Sequence, residues 1–577
     1  MSFSSPFRHG AALLLLAALA ALILAPVLVD PVALALGHPR NDTWNHIWGY
    51  AWVGQAALRG EIPLHTTMLG WPSGGALWFI DTFGAVLTAP IQALAGPVAA
   101  YNAYCFLSFL LAGVAAYALA WYETRSLPAA LAAGLAFEST PHLLAQAYDG
   151  ISESLAIGWM VLAVLATRYA LARPSPWRGA LVGGALAVST VANWYYGLFA
   201  LLAFAGFWGG AVLSRRRHFV KLLTAAFVAA CSFGVLAGPA VALFSATLGA
   251  ADALVARDPD FVWMTLVHHN MTDLVTFFRP GRHYSPDLRA LWDEDLIVVV
   301  YLGWALLLPA LAVLATPRAR RAWPWLGFAL AFFLLALGPF LYVGGRYVEV
   351  GGGWIPLPFL ALYKGVPLLS RISHAYRFTL GVSLGLAMGL AWWISAVQER
   401  RGVRWALALA LGLGGARVAE SLWGSPAVSP LPAAAAVIPA IYEAIPADEQ
   451  GALLDLPASL QVLDRSRYCF YQISHGKPIP YGLNDPSPDF LYGNTFTRYL
   501  LELERSRVAT LPPTPPVFEL LLGRELARGE GLRWIAVHAP EYPAAQLPKM
   551  QEFLDLTATR VAERDGMWLY RLDPELP

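Results

Sequence analysis

Apolar runs of about 20 residues recur along the first three quarters of the chain, separated by short polar segments. A helix of that length crosses the hydrocarbon core of a bilayer, so each run predicts a membrane-spanning helix. We interpret the first run, 11–29, as an uncleaved helix rather than a signal peptide, because it is long and further spans follow. The later predicted spans are 98–121, 127–144, 153–172, 178–192, 194–213, 220–244, 294–315, 323–343, 374–396 and 403–422.

The segment 82–96 is apolar but short, and Pro90 interrupts it, so we expect a re-entrant or interfacial segment rather than a span. Without it the count is about eleven transmembrane helices. Composition agrees, since 57% of residues are hydrophobic and 13% are charged, about half the share of a soluble protein. The sequence therefore predicts an α-helical polytopic membrane protein.

The pattern changes near residue 425, where proline-rich sequence leads into a more polar tail. The runs 452–457, 468–474, 532–539 and 567–572 are typical of strands, and 494–507 and 516–528 are typical of helices. We therefore expect a transmembrane domain over 1–424, with an outer loop at 30–81, and a small α/β domain over 425–577.

The charges of the short loops predict which side of the membrane each loop faces. Basic residues collect at 173–178, 215–221, 318–321 and 400–404, and basic loops face the cytoplasm. Alternation then places 41–81, 148–152, 245–293, 342–373 and the tail domain outside. The net charge of +1 excludes the broad basic surface that nucleic-acid binding needs. The three cysteines show no metal or redox spacing.

The outer segment 41–81 is too polar for hydrocarbon and unusually rich in tryptophan. Asp42 and His46 are four residues apart, so a helix would place both on one face. We expect the indole rings to anchor this segment at the lipid headgroups. They are Trp44, Trp48, Trp52, Trp71 and Trp78. A carboxylate held at the bilayer surface suits an enzyme whose substrate is a lipid.

A second acidic group lies in the sequence PHLLAQAYDGISES. Asp149 and Glu153 are four residues apart and can share a helix face, and ionisable groups beside a membrane are often functional. The alternative is that both acids merely solvate a short outer turn.

A group of cations precedes the 374–396 span, in LYKGVPLLSRISHAYRF. Lys364, Arg371, His374 and Arg377 lie outside, against the positive-inside tendency, and a lipid phosphate is one reason for that placement. The alternative is snorkelling to headgroups of any lipid. Elsewhere, HHNMTD at 268–273 superficially suggests metal ligands, but it lacks a third ligand at a defined spacing.

Several motifs together resemble the GT-C superfamily of integral membrane glycosyltransferases. The motifs are NDTWNHIW, WPSGG, DEDLIVVVYLGW at 293–304 and PLPFLALYKGVPLLSRISHAYRF at 356–378. Within that superfamily the chain is similar to bacterial relatives of the protein mannosyltransferase and lipid A aminoarabinose transferase families. The likeness covers most of the membrane part as loose patterns, and the tail is similar to the outer domain of many such proteins.

The resemblance implies transfer of a sugar, with inversion, from a polyprenyl-phosphate or polyprenyl-diphosphate donor on the outer face of the bacterial cytoplasmic membrane. The acceptor is an unknown lipid, glycan or protein of the cell envelope. Asp42 would be the general base and Asp149 the second acid. Arg371 and Arg377 would hold the leaving phosphate.

We place Trp44, Glu153, Lys364 and His374 on the substrate-binding side. The first motif has a single Asp followed by Thr instead of the paired acids of several families, so His46 is an alternative base. No cofactor is implied with certainty, and a divalent metal, which some members use, stays open.

Two other functions stay open at this point. A transporter or lipid flippase would line a path with Asp149, Glu153 and the cations, although transporters place such groups near the bilayer midplane. A catalytically inactive scaffold with a binding tail is also compatible, since a fold does not fix a function.

Overall fold

The computed structural model describes residues 6–255, 258–283, 296–367, 369–483, 489–505, 515–543 and 546–575. Most of these residues are helical, and most of the helices follow the predicted apolar runs. Residues 293–295, which open both the predicted 294–315 span and the DEDLIVVVYLGW motif, lie outside the described residues.

The described helices are numbered in chain order, and residues 284–295 separate the first twelve from the rest. The first twelve are α1 (Pro6–Ile23), α2 (Ala25–Leu28), α3 (Thr43–Arg59), α4 (Thr82–Leu87), α5 (Ala89–Thr124), α6 (Leu127–Glu138), α7 (Pro141–Tyr148), α8 (Ile157–Ala172), α9 (Pro176–Ala192), α10 (Trp194–Ser214), α11 (Phe219–Leu248) and α12 (Pro259–Met264). The rest are α13 (Trp304–Ala312), α14 (Ala319–Ala336), α15 (Pro358–Gly365), α16 (Thr379–Arg401), α17 (Val403–Ala419), α18 (Val462–His475), α19 (Asp489–Gly493), α20 (Thr495–Arg505), α21 (Val517–Glu530) and α22 (Leu547–Thr557).

Within the described residues, five stretches are long and apolar enough to cross a membrane. They are Ala89–Thr124, Ser152–Ala172, Trp194–Ser214, Phe219–Leu248 and Ala375–Arg401. Shorter apolar helices occupy Arg8–Ile23 and Trp304–Ala315. Ala375–Arg401 forms the centre of the bundle, whereas Phe219–Leu248 is mostly exposed, as expected for a helix that faces lipid. The chain is a multi-pass membrane protein, and the count of eleven spans stays a prediction.

Glycine residues allow α9 and α11 to pack closely. A Cβ added at Gly179 would lie 2.2 Å from the carbonyl oxygen of Ala225, and one at Gly183 would lie 2.2 Å from that of Ala229. Glycines spaced four apart let two membrane helices approach at backbone distance, which is the contact between α9 and α11.

The structure corrects two predicted spans. The 127–144 run forms α6 and α7 instead of one helix, because Pro141 excludes the preceding residue, Thr140, from helical geometry and itself begins the next helix. In the 294–315 run, the described residues 296–303 are not helical, and α13 begins only after Gly303, whose φ is +82°.

The segment 82–96, which was not predicted to span, forms the short helix α4 and the first turns of α5. The helical geometry of α5 is interrupted at Gly96 (φ +85°).

The tail contains a four-stranded sheet in the order β11 (Thr559–Arg564), β12 (Met567–Arg571), β10 (Leu532–His538), β9 (Ala452–Leu456). β9 and β10 are parallel, with Ile535 beside Leu454, and the other pairs are antiparallel. The remaining strands are the short pairs β1 (Leu34–Leu36) with β8 (Ala433–Ala435), β2 (His65–Thr66) with β3 (Gly75–Ala76), β4 (Tyr342–Val343) with β5 (Arg346–Tyr347), and β6 (Glu349–Val350) with β7 (Gly353–Trp354).

The predicted strand at 468–474 is wrong, because this stretch lies inside α18. Its aromatic and apolar residues suit a strand, but Leu463, Ser466 and Phe470 recur at spacings of three and four and are buried together along one helix face. That face packs on α3, so tertiary packing overrides the local preference.

Three of the five tryptophans of 41–81 do not serve as headgroup anchors, contrary to the sequence prediction. The ring of Trp44 stacks on Phe470 at 4.7 Å, and the indole Nε1–H of Trp48 donates to Gln472 at 2.8 Å. Trp71 meets Phe490 edge to face at 4.5 Å. These rings are buried against the tail, so they join the two parts of the chain.

Candidate active site

The first turn of α3 rests on the turn that follows α7. The backbone N–H of Asp42 donates to the carbonyl oxygen of Asp149 at 3.1 Å. Gly150 has φ +76°, and a Cβ there would lie 2.1 Å from Oγ1 of Thr43. Only glycine permits both that left-handed conformation and that approach. The two acids of the sequence analysis are therefore neighbours in space.

Asp42 is the residue that precedes α3, and its Oδ1 accepts from Nδ2 of Asn45 at 3.2 Å. Asp149 is more enclosed, with Oδ1 accepting from Nδ2 of Asn41 at 3.2 Å and from the backbone N–H of Ile297 at 3.0 Å. Burial, with a smaller contribution from the charge of Asp42, raises the pKa of Asp149 well above its usual range. Asp149 is therefore the more buried carboxyl group of this pair, and burial disfavours its charged form.

A chain of polar contacts runs inward from His46. Its Nδ1 lies 3.1 Å from Oγ of Ser152, which donates to Oδ2 of Asp81 at 2.5 Å. The hydroxyl of Tyr50 donates to the same oxygen at 2.7 Å. Burial lowers the pKa of His46 to about 4. His46 is therefore a neutral imidazole at neutral pH.

The other ring nitrogen of His46 faces the second half of the site. Nε2 lies 3.3 Å from Oε2 of Glu153, and Oε1 of Glu153 lies 4.0 Å from Nη2 of Arg377. The guanidinium of Arg377 also lies over the ring of Tyr195, 4.8 Å from its centroid. All three ionisable side chains are buried, so their interactions act in a medium of low dielectric constant.

The site therefore combines four carboxyl groups with one buried guanidinium. Asp42 is the most exposed of the four, at 9%, against 6% for Glu153, 2% for Asp149 and 0% for Asp81. Asp42 is therefore the carboxyl group of the four that solvent reaches most easily. The contacts among Asp42, His46, Asp149, Glu153 and Arg377 define what we call the acid–arginine cluster.

The structure brings together five of the sequence-predicted site residues, and the other four lie outside the acid–arginine cluster. His374 joins the acid–arginine cluster indirectly, since its Nδ1 lies 3.3 Å from the hydroxyl of Tyr195. Lys364 and Arg371 are exposed, on and just after α15. Trp44 faces the tail through Phe470.

Sequence reasoning did not select Asp81, Tyr50 or Tyr195 as site residues, and it noted Ser152 only as part of the second acidic group. Asp81 ends the polar segment 41–81, directly before an apolar run, where a buried carboxyl group needs hydrogen-bond donors. Tyr195 belongs to the NWYYG break between two spans. Both residues are polar and lie at the end of an apolar run. That position is the sequence feature that could have identified them as site residues.

Metal ligands do not gather in the described part of the chain. No group of three or more His, Cys, Asp or Glu side chains within it has an arrangement that could hold a metal ion. At HHNMTD, the carboxylate of Asp273 accepts from the backbone N–H groups of Gly344, Gly345 and Val275. That motif thus anchors the β4–β5 hairpin.

No protein-family model matches the chain, and no curated protein matches it. Among solved structures, the arabinofuranosyltransferase AftD from Mycobacteria is similar to all of this chain, with 13% identity and a TM-score of 0.59. The chain spans 40% of the length of that protein.

Two further solved structures are similar over nearly the whole chain, with lower TM-scores. The oligosaccharyltransferase AglB from Archaeoglobus fulgidus, in complex with an inhibitory peptide and a dolichol-phosphate, has 11% identity and a TM-score of 0.49 over 100% of this chain and 75% of its own. ArnT from Cupriavidus metallidurans, bound to undecaprenyl phosphate, has 13% identity and a TM-score of 0.47 over 97% of this chain and 98% of its own.

The likeness to the arabinofuranosyltransferase confirms the predicted fold class: a bundle of membrane helices with a small sheet region near the C-terminus. At 13% identity it concerns the fold, and the chemistry rests on the residues of the site.

Proposed function

We propose that this chain, a membrane protein with the GT-C glycosyltransferase fold, transfers a sugar from a polyprenyl-phosphate or polyprenyl-diphosphate donor to an acceptor hydroxyl, with inversion. The observation that carries the proposal is the acid–arginine cluster. The carboxyl groups of Asp42 and Asp149 and the Glu153–Arg377 pair meet at one end of the helical bundle. These are the groups that a hydroxyl nucleophile and a phosphate leaving group require.

In this proposal Asp42 is the general base. It takes the proton of the acceptor hydroxyl while the hydroxyl oxygen bonds to the anomeric carbon, and the bond from that carbon to the phosphate oxygen breaks. A positioned base contributes about 10²–10⁴-fold to the rate. Asp149 is more buried than Asp42 and orients a sugar hydroxyl instead. His46, which is also more buried than Asp42, stays the alternative base.

The electron pair of the broken bond leaves on the phosphate. Arg377 stabilises the developing negative charge, and Arg371 meets the phosphate from the exposed side. Glu153 lies beside Arg377 and His46 and keeps the guanidinium in place before the donor binds. No step in this scheme is routed through a metal.

The ends of the helices support an outer location for the reaction. The acid–arginine cluster lies where α8, α10 and α16 begin, and the basic segments 173–178, 215–221 and 400–404 lie where these helices end. Under the positive-inside rule the basic end faces the cytoplasm, so we place the site and the tail on the outer face of the bacterial cytoplasmic membrane.

The test is turnover of undecaprenyl-phosphate-linked pentoses and hexoses by the purified protein, with a cell-envelope extract as the source of acceptor hydroxyls, followed as released undecaprenyl phosphate. We expect Asp42→Asn to lower turnover by at least about 10²-fold, because an amide accepts no proton. Asp252→Asn is the matched control, since this half-exposed aspartate pairs with His65 outside the cluster.

Wild-type turnover by Asp42→Asn would overturn the assignment of the base. If the wild-type protein released no undecaprenyl phosphate from any donor but moved the labelled lipid across a vesicle membrane, the flippase alternative would replace the enzyme.

A further inference from the structure

A second polar feature lies at the opposite ends of α8 and α10 from the acid–arginine cluster. It is a cavity of about 790 Å³, within the size range of ligand pockets. Ile157, the first residue of α8, follows closely on Glu153, and Ala172, the last, lines the cavity, so the two sites are about 24 Å apart along this helix. The lining residues are Ala172, Arg173, Pro174, Leu213, Ser214, Arg215, Arg217, His218 and Lys221.

The lining of the cavity carries an unbalanced positive charge. It includes four basic side chains and His218 but no carboxylate. Arg215 donates from Nη1 to the carbonyl oxygen of Leu171 at 2.8 Å. Among the residues described in the structure, Arg173, Arg217 and Lys221 make no side-chain hydrogen bond or ion pair. Three cations thus face one concave space without a protein partner.

Two other arginines near this end of the bundle are paired with carboxylates within the protein. Arg318 donates from Nε to Glu399 at 3.1 Å, and Arg168 donates from Nε to Glu123 at 2.7 Å. The cavity lining contains no such carboxylate. An anion from outside the chain is the missing partner, and a phosphate group offers several acceptor oxygens to such a cluster.

The surroundings of the cavity are apolar and face the lipid. Leu213 in its lining is 80% exposed, and Phe219 and Val220 beside it are exposed as well. α11, which starts here, is the least buried of the five membrane-crossing helices. A ligand that fits both parts carries a phosphate and an apolar chain.

We propose that this cavity binds the phosphate headgroup of an anionic phospholipid in the leaflet opposite the acid–arginine cluster. The three unpartnered cations hold the phosphate oxygens, and the acyl chains lie along α10 and α11. Basic pockets between membrane helices are suited to such headgroups. This site is separate from donor binding and does not depend on the glycosyltransferase proposal.

The experiment measures lipid retention by the purified full chain, using native mass spectrometry in detergent with added phosphatidylglycerol or phosphatidylcholine. The variant is Arg173→Ala/Arg217→Ala/Lys221→Ala. The matched control is Arg400→Ala/Arg401→Ala/Arg404→Ala, which removes three exposed cations where α16 ends and α17 begins, outside the cavity lining. A third variant, Arg173→Lys/Arg217→Lys, keeps the charge, and melting temperatures verify that each variant is folded.

We expect wild-type protein, control and lysine variant to retain phosphatidylglycerol over phosphatidylcholine, and the cavity variant to lose at least about tenfold in apparent affinity. Equal losses in the cavity variant and the control would overturn the site in favour of diffuse surface charge. Binding of inorganic phosphate by the wild type without retention of phosphatidylglycerol would replace the lipid by a free phosphate. Equal retention of both lipids by the wild type would overturn the proposal.

Discussion

At the scale of single residues, burial distinguishes the carboxyl groups of the site. Asp42 and Asp149 are in contact, but burial raises the pKa of Asp149 and leaves Asp42 the more exposed carboxyl group. Glu153 and Arg377 are both buried and lie 4.0 Å apart, so removing one partner leaves the other charge uncompensated. Substitutions at exposed Arg371 are easier to interpret for that reason.

We expect Arg371→Ala to raise the apparent KM for the polyprenyl-phosphate donor by about tenfold, because a charged contact to the phosphate is lost. The KM for the acceptor should stay unchanged. Arg346→Ala removes an equally exposed arginine from β5 and serves as the control. An unchanged donor KM in steady-state kinetics of Arg371→Ala would contradict the phosphate role.

His46 predicts a pH dependence of stability. Its pKa falls from 6.5 in the unfolded chain to about 4 in the folded protein, so the unfolded chain binds the proton more readily between these values. The stabilisation is complete above pH 6.5 and is lost as the pH falls towards 4, by up to about 3 kcal/mol.

The measurement is the melting temperature of wild type and His46→Gln at several pH values. We expect the wild type to lose stability relative to His46→Gln between pH 6.5 and 4. The control is His218→Gln, which removes an exposed imidazole. A difference between wild type and His46→Gln that does not change between pH 6.5 and 4 would show that the imidazole of His46 is not desolvated.

At the scale of elements, the site depends on how closely α3 packs on the turn between α7 and α8. Gly150 allows this approach, and the Ser152–Asp81 and Asn193–Glu153 hydrogen bonds then attach the same turn to the helices around it. The side-chain oxygen of Asn193 also accepts from the backbone N–H of Tyr196, so Asn193 caps the N-terminus of α10. One short turn is therefore fixed from three sides.

We expect Gly150→Ala to lower both melting temperature and transfer activity, with a loss of at least about 2 kcal/mol from strain and displacement of Thr43. Gly344→Ala is the control. Gly344 also has positive φ (+61°), but nothing lies within 4 Å of an added Cβ. Equal effects of the two substitutions would mean that the approach of Thr43 contributes nothing.

At the scale of the whole molecule, the tail covers the site end of the bundle. α18 packs on α3 through Phe470 and Gln472. The hydroxyl of Ser466 donates to the carbonyl oxygen of Asn41 at 3.3 Å. Asn41 in turn donates to Asp149. β8 adds a second connection by pairing with β1. The tail thus supports the loop that holds both acids.

We expect Phe470→Ala to lower kcat for sugar transfer in protein that remains folded, because the loop around Asn41 loses its support. Phe496→Ala is the matched control, since Phe496 is buried in the tail against Phe553. Both substitutions should cost about 3–5 kcal/mol in stability. If kcat fell equally in both, the effect would be general loosening of the tail.

The sequence by itself determined most of the apolar helices, the fold class and most of the tail strands. Length and hydropathy fix whether a segment can cross a bilayer, since no other backbone arrangement satisfies its polar groups in lipid except a closed barrel. Asp149, Glu153 and the cations that precede the 374–396 span were also visible as candidates, because they are polar residues at the ends of apolar runs. Asp149 and Glu153 do not share a helix face, since α7 ends before Asp149.

Only the tertiary structure decided which polar residues meet. The sequence separates Asp42 from Asp149 by more than 100 residues, and nothing local shows that Gly150 allows them to touch. The same holds for α18. Its residues 468–474 are typical of a strand, but they form a helix because one helix face packs on α3. Hydropathy depends on one residue at a time, whereas a site depends on contacts between residues that the chain keeps far apart.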